Sequence, residues 1–291
     1  MARVAVVTDT THYMPRSLVE DLGLHEISLY VTFEGETERE GDMDFERFYG
    51  RLTASEEMPS TSQPSVGDFL GVYEPLLDDG ADVVSIHLSA GISGTFAAAE
   101  QARDELVARG IEPERLIVLD SATTCAGLGM MAMAATSAAR AGASAEKAAE
   151  AAQAVRRDLK VWFAVDTLEF LRRGGRVGGA QAWVGSTLKI KPILSIESEV
   201  LPIERVRTWG RAFERLVEYL VARREDGSDA FVVQHIRAAE QAERMVERGR
   251  EIYGNEPVFV SEMGPVIGAH VGPGLLGVGG VRRGLLDPGA A

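Results

Sequence analysis

The sequence predicts a two-domain α/β protein, with a parallel sheet in the first domain and a mixed sheet in the second. Three observations support this fold class. The chain has 291 residues, enough for two domains of ordinary size. Its first half alternates short apolar runs with helix-length segments, a pattern that requires crossover connections between parallel strands. Its second half contains two extended segments around a polar turn within residues 189–208, which predict an antiparallel pair.

The first domain is expected to span residues 1–158. Apolar, β-branched runs predict its strands at 3–7, 25–33, 81–89 and 115–121. Helices are predicted to end at Gly23, to run from Ser65 to about Leu77, to follow the loop at 89–95, and to cover 126–141 and 144–158. The clearest helix start is at Ser65, because Ser65 and Asp68 have the serine-x-x-acid spacing of a capping box.

The second domain is expected to span residues 159–291. In addition to the antiparallel pair, strands are predicted at 160–166, 231–236 and 257–263, and helices at 210–224 and 238–252. Residues 264–277 are predicted to be an apolar strand that runs into a glycine-proline loop and carries His270.

Composition excludes several classes of protein. Thirty Lys and Arg against 44 Asp and Glu give a formal charge of −14, which repels nucleic acid and anionic lipid surfaces. A single cysteine excludes an internal disulfide framework and fits a reducing compartment. No signal peptide and no uncharged stretch of membrane-spanning length are recognisable. We therefore expect a cytoplasmic protein without a membrane span and without a nucleic-acid partner.

Three turns of the first domain are rich in serine and threonine, and each precedes a predicted helix. They lie at residues 8–11, 60–65 and 89–95 and contain no lysine or arginine. Hydroxyl and backbone N–H groups at helix starts bind anions without adding a full positive charge. A carboxylate or a single phosphate suits such turns better than a nucleoside triphosphate, since the chain has no GxxxxGK loop.

The role of Ser93 in the turn "SAGISGT" has three interpretations. Ser93 or Thr95 could cap the following helix, Ser93 could donate a hydrogen bond to an anion, or Ser93 could be a nucleophile. A hydrolase would also need a base, for which His87, His235 and His270 are the candidates, and nothing in the sequence orients one of them against Ser93. His270 could instead donate to an oxyanion or be a packed core histidine. The histidines are too scattered for a metal site.

The segment "LRRGGRV" at 171–177 is the one compact basic stretch of this acidic chain. Its three arginines are Arg172, Arg173 and Arg176. They could be a solvated helix end, where arginine complements the helix dipole, or a docking surface for phosphate or an acidic partner.

Together these motifs resemble the DegV family of fatty-acid-binding proteins, also called FakB. The resemblance covers almost the whole chain and rests on "VAVVTDTT", "TSQPS" (61–65), "GISGT" (91–95), "DTLEFLRRGGRV" (166–177), "LKIKPIL" (188–194) and "GPVIGAHVGPGLLGVG". It implies a DegV-like fold, with an N-terminal three-layer α/β/α parallel sheet and a C-terminal two-layer α/β mixed sheet. It also implies one long-chain fatty acid buried between the domains, whose carboxylate is presented to a separate ATP-dependent kinase subunit that forms an acyl-phosphate for phospholipid metabolism.

The resemblance also assigns residues. The carboxylate contacts would be Thr61, Ser62, Ser93, Gly94, Thr95 and His270, and the arginines facing the kinase would be Arg172, Arg173 and Arg176. It implies no catalytic residue, no metal and no cofactor other than the fatty acid, with transient membrane contact for lipid exchange. The alternative function is a serine hydrolase using Ser93 and His270, and a kinase acting alone is the least favoured.

Overall fold

Strands and helices alternate along most of the chain. The computed structural model describes residues 3–185 and 190–288. In these residues the strands are β1 (Val4–Asp9), β2 (His25–Ile27), β3 (Tyr30–Phe33), β4 (Glu36–Arg39), β5 (Ser60–Ser62), β6 (Asp82–His87), β7 (Leu116–Asp120), β8 (Lys160–Ala164), β9 (Lys191–Glu197), β10 (Glu199–Val206), β11 (Ala230–Ile236), β12 (Val260–Glu262) and β13 (Leu275–Val281). The α-helices are α1 (Arg16–Leu22), α2 (Phe45–Ala54), α3 (Val66–Asp78), α4 (Thr95–Ala108), α5 (Ala126–Arg140), α6 (Ala145–Asp158), α7 (Glu169–Arg173), α8 (Trp209–Glu225), α9 (Ala239–Tyr253) and α10 (Pro265–Val271).

Contacts divide the chain into two compact units, neither of which is continuous in sequence. The first comprises Met1–Leu29, Gln63–Asp158 and Arg283–Ala291, and the second comprises Tyr30–Ser62 and Leu159–Arg282. The chain crosses from the first unit to the second at residues 158–159. The segment 30–62, which lies in the N-terminal half of the sequence, also belongs to the second unit. The motif "LKIKPIL" begins at Leu188 and Lys189, which lie outside the described residues.

The first unit is built on a four-stranded parallel sheet with the strand order β2-β1-β6-β7. Both faces are covered, since β1 and β6 bury nearly every residue along their length. One face packs against α3 and α4, where Phe69 and Tyr73 are fully buried. The alanine-rich helices α5 and α6 also pack on this sheet. This three-layer arrangement confirms the fold predicted for the N-terminal part.

The predicted capping box opens α3. Ser65 Oγ accepts a hydrogen bond from the Asp68 backbone N–H at 3.1 Å, and Asp68 Oδ2 accepts one from the Ser65 N–H at 2.8 Å. Two of the unpaired donors at the helix N-terminus are thereby satisfied. The sequence pattern therefore identified both the helix and its N-cap residue, Ser65.

The second unit contains a six-stranded mixed sheet and a small three-stranded sheet. The strand orders are β10-β9-β8-β13-β11-β12 and β4-β3-β5. In the larger sheet only β11 and β12 are parallel neighbours among the described strands. Helices α8 and α9 pack on it through an apolar core that includes Leu216, Phe231 and Met245, and the Trp162 and Tyr219 rings stack at 4.4 Å between centroids. The mixed α/β architecture predicted for the C-terminal part is confirmed.

The single strand predicted at 25–33 is wrong. The segment forms two strands in different sheets: β2 pairs with β1, and β3 pairs with β4 and β5. Ser28 and Leu29 separate the two strands. The buried residues Ile27, Leu29, Val31 and Phe33 alternate without interruption across the break, so periodicity could not locate it.

The strand predicted for 264–277 is also wrong, because His270 lies on a helix. Pro265 occupies the first turn of α10, where its missing N–H costs no hydrogen bond. Gly272 ends the helix with a φ of +77°, a conformation that favours glycine. The strand that follows, β13, was not predicted. Its glycines weaken the strand pattern in the sequence. Gly280 is needed for packing, because a Cβ there would lie 2.8 Å from Tyr253 Oη.

Candidate functional site

A threonine and a histidine from distant parts of the sequence meet in the second unit. Thr61 is the middle residue of β5, which pairs with β3, and His270 lies in the last turn of α10. Thr61 Oγ1 and His270 Nε2 are hydrogen bonded at 2.7 Å. Ser62 follows Thr61 on the same strand and is exposed. The structure therefore brings together two of the residues assigned to carboxylate binding.

The imidazole of this pair is neutral at physiological pH. Burial, assisted by the positive charge of Arg176, lowers the pKa of His270 to about 4. A neutral threonine–histidine pair can donate hydrogen bonds to an anion without forming an ion pair with it. This property fits the uncharged, hydroxyl-based site expected from the sequence.

The residues Ser93, Gly94 and Thr95 lie together at the start of α4, in the first unit. Ser93 Oγ and Thr95 Oγ1 are 2.9 Å apart, and Ser93 Oγ also accepts from the Thr95 N–H at 3.3 Å. The residue at the N-cap position is Gly94, so neither hydroxyl occupies that position. Thr95 is fully buried, whereas Ser93 is only partly buried. Ser93 thus stabilises the turn locally and keeps part of its surface accessible.

Two of the hydroxyl-rich motifs contact each other within the first unit. A Cβ on Gly94 would lie 2.4 Å from Oε1 of Gln63, the third residue of "TSQPS". The φ of Gly94, −80°, is open to any residue, and a side chain there would have to displace the Gln63 amide, which is the end of an exposed and flexible side chain. The contact shows that the "TSQPS" and "GISGT" motifs are neighbours at the start of α4.

The sequence analysis did not identify a buried carboxylate, Asp9, that lies next to the start of the 89–95 turn. Asp9, at the end of β1, is fully buried and accepts four hydrogen bonds. Oδ1 accepts from Thr11 N and Oγ1 at 3.1 and 2.6 Å, and Oδ2 accepts from the Leu88 N–H at 2.9 Å and from His87 Nδ1 at 3.2 Å. Leu88 immediately precedes the 89–95 turn, so Asp9 fixes the end of β6 from which that turn begins.

The buried network continues from the aspartate in one direction. Since Asp9 accepts at both oxygens, His87 donates through Nδ1–H, and its Nε2 accepts from the Ser85 hydroxyl at 2.7 Å. The Tyr73 hydroxyl donates to Ser85 Oγ at 2.7 Å, and burial raises the pKa of Tyr73. In the sequence, Ser85, His87 and Ser89 alternate with apolar residues, a pattern that predicts a polar sheet face at His87. The alternation is real, but Ser85 and His87 are fully buried. The aspartate ending "VAVVTD" was the signal that could have revealed the network.

Arg172 and Arg173 lie side by side at the end of α7. Both pair with Glu169 of the same helix, at 2.6 Å each, and these hydrogen bonds lower the pKa of Glu169 to about 2. Both guanidinium groups are about half exposed. Arg176 donates to the Gly174 carbonyl at 2.6 Å. The arginine motif therefore combines two exposed guanidinium groups with a third that is tied to the backbone.

The hydrogen bonds of Ser93 Oγ described above go to Thr95 alone, and no described histidine is bonded to it. No group of three or more His, Cys, Asp or Glu side chains within residues 3–185 and 190–288 is arranged to hold a metal ion. None of the helices described is both long and apolar enough to cross a membrane.

Comparisons with known proteins agree with the resemblance seen in the motifs. A family model described as "Uncharacterised protein, DegV family" matches residues 3–283. Protein DegV of Bacillus subtilis is 37% identical over 282 residues, which cover 94% of this chain and 98% of that protein. A DegV domain-containing protein of Streptomyces coelicolor is 38% identical over 278 residues, covering 94% of this chain and 97% of the relative.

Solved structures extend the match to the whole fold. A DegV family protein of Thermus thermophilus, described as fatty acid binding, superposes with a TM-score of 0.86 at 33% identity, over 96% of this chain and 99% of that one. DegV of Bacillus subtilis, described as a fatty acid binding protein, superposes with a TM-score of 0.87 at 35% identity, over 97% and 100% of the two chains. The chain belongs to the DegV family.

Proposed function

We propose that this protein binds one long-chain fatty acid and that Thr61 and His270 are part of the site for its carboxylate. The observation that carries the proposal is the neutral 2.7 Å pair of Thr61 and His270, in a chain about one-third identical, over nearly its full length, to two solved DegV proteins described as fatty acid binding. Ser62, Ser93, Gly94 and Thr95 complete the proposed set of head-group ligands.

The energetics of such a ligand fit a site without strong charges. Burying about fifteen methylene groups at about 0.8 kcal/mol each gives on the order of 12 kcal/mol before the entropy cost of binding. The tail therefore supplies most of the affinity, and the head group needs orientation more than attraction. Hydroxyl donors provide orientation and leave the carboxylate oxygens more nucleophilic than a bidentate arginine would.

The protein in this proposal is a carrier with no catalysis of its own, and a separate ATP-dependent kinase subunit phosphorylates the presented carboxylate. The exposed guanidinium groups of Arg172 and Arg173 support a docking role, because an acidic surface or a phosphate pairs well with such a cluster. Replacing both with Glu is expected to preserve fatty acid binding and to abolish acyl-phosphate formation with the kinase. Equal loss of both activities would contradict a docking role.

Fatty acid binding is tested by mass spectrometry of the protein purified from a heterologous host, followed by titration with palmitate and oleate. One equivalent of co-purifying or added fatty acid is expected. The matched pair of variants is Thr61→Val, which removes one hydroxyl of the proposed site, and Ser60→Ala, which removes an exposed hydroxyl from the same strand. Absence of any fatty acid uptake would overturn the proposal. Labelling of Ser93 by a fluorophosphonate, with ester turnover lost in Ser93→Ala, would favour the hydrolase instead.

A further inference from the structure

The first glycine of "LRRGGR" has no backbone reason to be glycine. Gly174 has φ −74° and ψ −6°, helical values that any residue adopts. Its neighbour Gly175, by contrast, has a φ of +71° and lies in the left-handed region that favours glycine. The reason for Gly174 must therefore be sought in what surrounds it.

Gly174 lies directly against the imidazole of His270. A Cβ at position 174 would be 2.3 Å from His270 Nδ1 and 3.2 Å from Cε1. The ring cannot simply move away, because its other nitrogen is held at 2.7 Å by Thr61 Oγ1. Any side chain at 174 would have to displace either the ring from Thr61 or the end of α7 from α10.

A second glycine–ring contact joins the same two helices, with the glycine at the end of α10 and the ring on α7. A Cβ on Gly272, at the end of α10, would lie 2.5 Å from the ring of Phe170 on α7. Each helix therefore packs one ring onto a glycine of the other: His270 onto Gly174, and Phe170 onto Gly272. This reciprocal arrangement fixes α7 and α10 against each other and restricts the position of the His270 ring.

The environment of Nδ1 determines where the imidazole carries its proton. Nδ1 is buried and has no hydrogen-bond partner among the described residues. A proton on Nδ1 would be a buried, unsatisfied N–H group, whereas a bare Nδ1 leaves only a lone pair unpaired. The neutral ring therefore carries its proton on Nε2 and donates it to Thr61 Oγ1. The hydroxyl hydrogen of Thr61 then remains available to donate to another group.

We propose that Gly174 is a positioning residue, which holds His270 in the Nε2-protonated form and so keeps the Thr61 hydroxyl as a hydrogen-bond donor for the ligand carboxylate. This inference rests on the proposed function for the identity of the ligand. It assigns to one residue of the arginine motif a role in head-group binding, separate from the role proposed for the arginines. It also links the helix that carries Arg172 and Arg173 to the position of His270.

The test compares Gly174→Ala with Gly210→Ala. Gly210 is a helical glycine of the same unit, and a Cβ there would meet nothing within 4 Å. In ligand-free protein, the ¹⁵N spectrum of the imidazoles is expected to show His270 protonated at Nε2 and bare at Nδ1. Gly174→Ala should shift these two resonances and weaken palmitate binding at least tenfold. Gly210→Ala should leave the two resonances in place and the palmitate affinity within twofold of the wild type.

A double-mutant cycle keeps the test decisive if Gly174→Ala folds poorly. His270→Ala removes the ring that the new methyl group would meet. Gly174→Ala should therefore lower the urea midpoint and the palmitate affinity of the parent protein but change neither in the His270→Ala background. Rescue of folding by His270→Ala would support the proposal as directly as the binding result.

Two results would overturn the inference: a His270 ring protonated at Nδ1 in the parent protein, or Gly174→Ala effects of equal size in the presence and absence of His270. The spectroscopic and stability measurements use no ligand. If the parent protein binds no fatty acid, the proposed function fails while these measurements still decide whether Gly174 positions His270.

Discussion

Two histidine–hydroxyl clusters among the described residues differ in how completely their hydrogen bonds are satisfied. In the cluster of the first unit, the side chains of Asp9, His87, Ser85 and Tyr73 are fully buried and are joined by a continuous chain of hydrogen bonds. In the cluster of the second unit, His270 binds Thr61 on one side and has an unpaired, buried nitrogen on the other. A saturated network stabilises the fold, whereas an unsaturated, partly accessible one retains hydrogen-bonding capacity for a ligand.

The largest effect on stability is expected from Asp9→Asn. The amide keeps the shape of the side chain but replaces one acceptor oxygen with an NH₂ group that faces buried donors. We expect the free energy of unfolding to fall by about 2–4 kcal/mol, measured by urea denaturation at pH 7. The control is Asp79→Asn, which breaks an exposed pair with Arg3 and should cost less than about 0.5 kcal/mol. A loss below about 1 kcal/mol at Asp9 would contradict its role as an anchor.

The second prediction concerns pH and His270. The pKa of this histidine is lowered from 6.5 to about 4 in the folded protein. Between these values the unfolded chain binds a proton that the folded chain does not, so acidification favours unfolding. At about 1.4 kcal/mol per pH unit, His270 accounts for up to about 3 kcal/mol of stability that is present above pH 6.5 and lost as the pH falls to 4.

Urea denaturation of the parent protein and of His270→Gln from pH 7.5 to 4 measures the pH-dependent stability that His270 contributes. The difference in unfolding free energy between the two should change as the pH falls, because the variant lacks the titrating group. If the two unfolding free energies change in parallel across this pH range, the pKa of His270 is not lowered by burial.

A smaller effect is expected from Thr61→Val, and it should fall on binding more than on stability. The substitution keeps the β-branched shape and removes the hydroxyl that is proposed to donate to the ligand. We expect palmitate affinity to fall about five- to thirtyfold, equivalent to about 1–2 kcal/mol, while the unfolding free energy falls by about 1 kcal/mol because the Nε2–H of His270 loses its acceptor. A stability loss as large as that of Asp9→Asn would remove the distinction between the two clusters.

The smallest effect is expected from Glu169→Gln. Arg172 and Arg173 pair with Glu169 at the surface, where ion pairs contribute little to stability. The urea midpoint and the palmitate affinity should both be unchanged within error. A clear loss of fatty acid binding would instead place the arginine helix in direct contact with the head group.

The sequence predicted the fold where a local signal existed. Alternating apolar runs gave the parallel sheet, and Ser65 with Asp68 gave the start of α3. Local signals failed where tertiary packing decides the structure. The glycines of β13 conceal a central strand, and the break between β2 and β3 depends on which sheet each half joins.

Prediction of the site was limited in the same way. Hydroxyl-rich turns can be recognised in a sequence, but the contact between Thr61 and His270 joins residues 209 positions apart, and only the family resemblance linked them. The alternation of Ser85, His87 and Ser89 is the same for an exposed polar face as for the buried one that the structure contains. Burial of polar groups depends on the helices that cover them, and periodicity carries no information about that.

The most direct test of the neutral carboxylate site is ¹³C NMR of palmitate labelled at its carboxyl carbon, titrated into the parent protein, Thr61→Val and Ser60→Ala. We predict one bound carboxyl resonance that saturates at one equivalent, moves in Thr61→Val and stays in place in Ser60→Ala. A titration without a saturable bound resonance, or a resonance identical in all three proteins, would contradict the account.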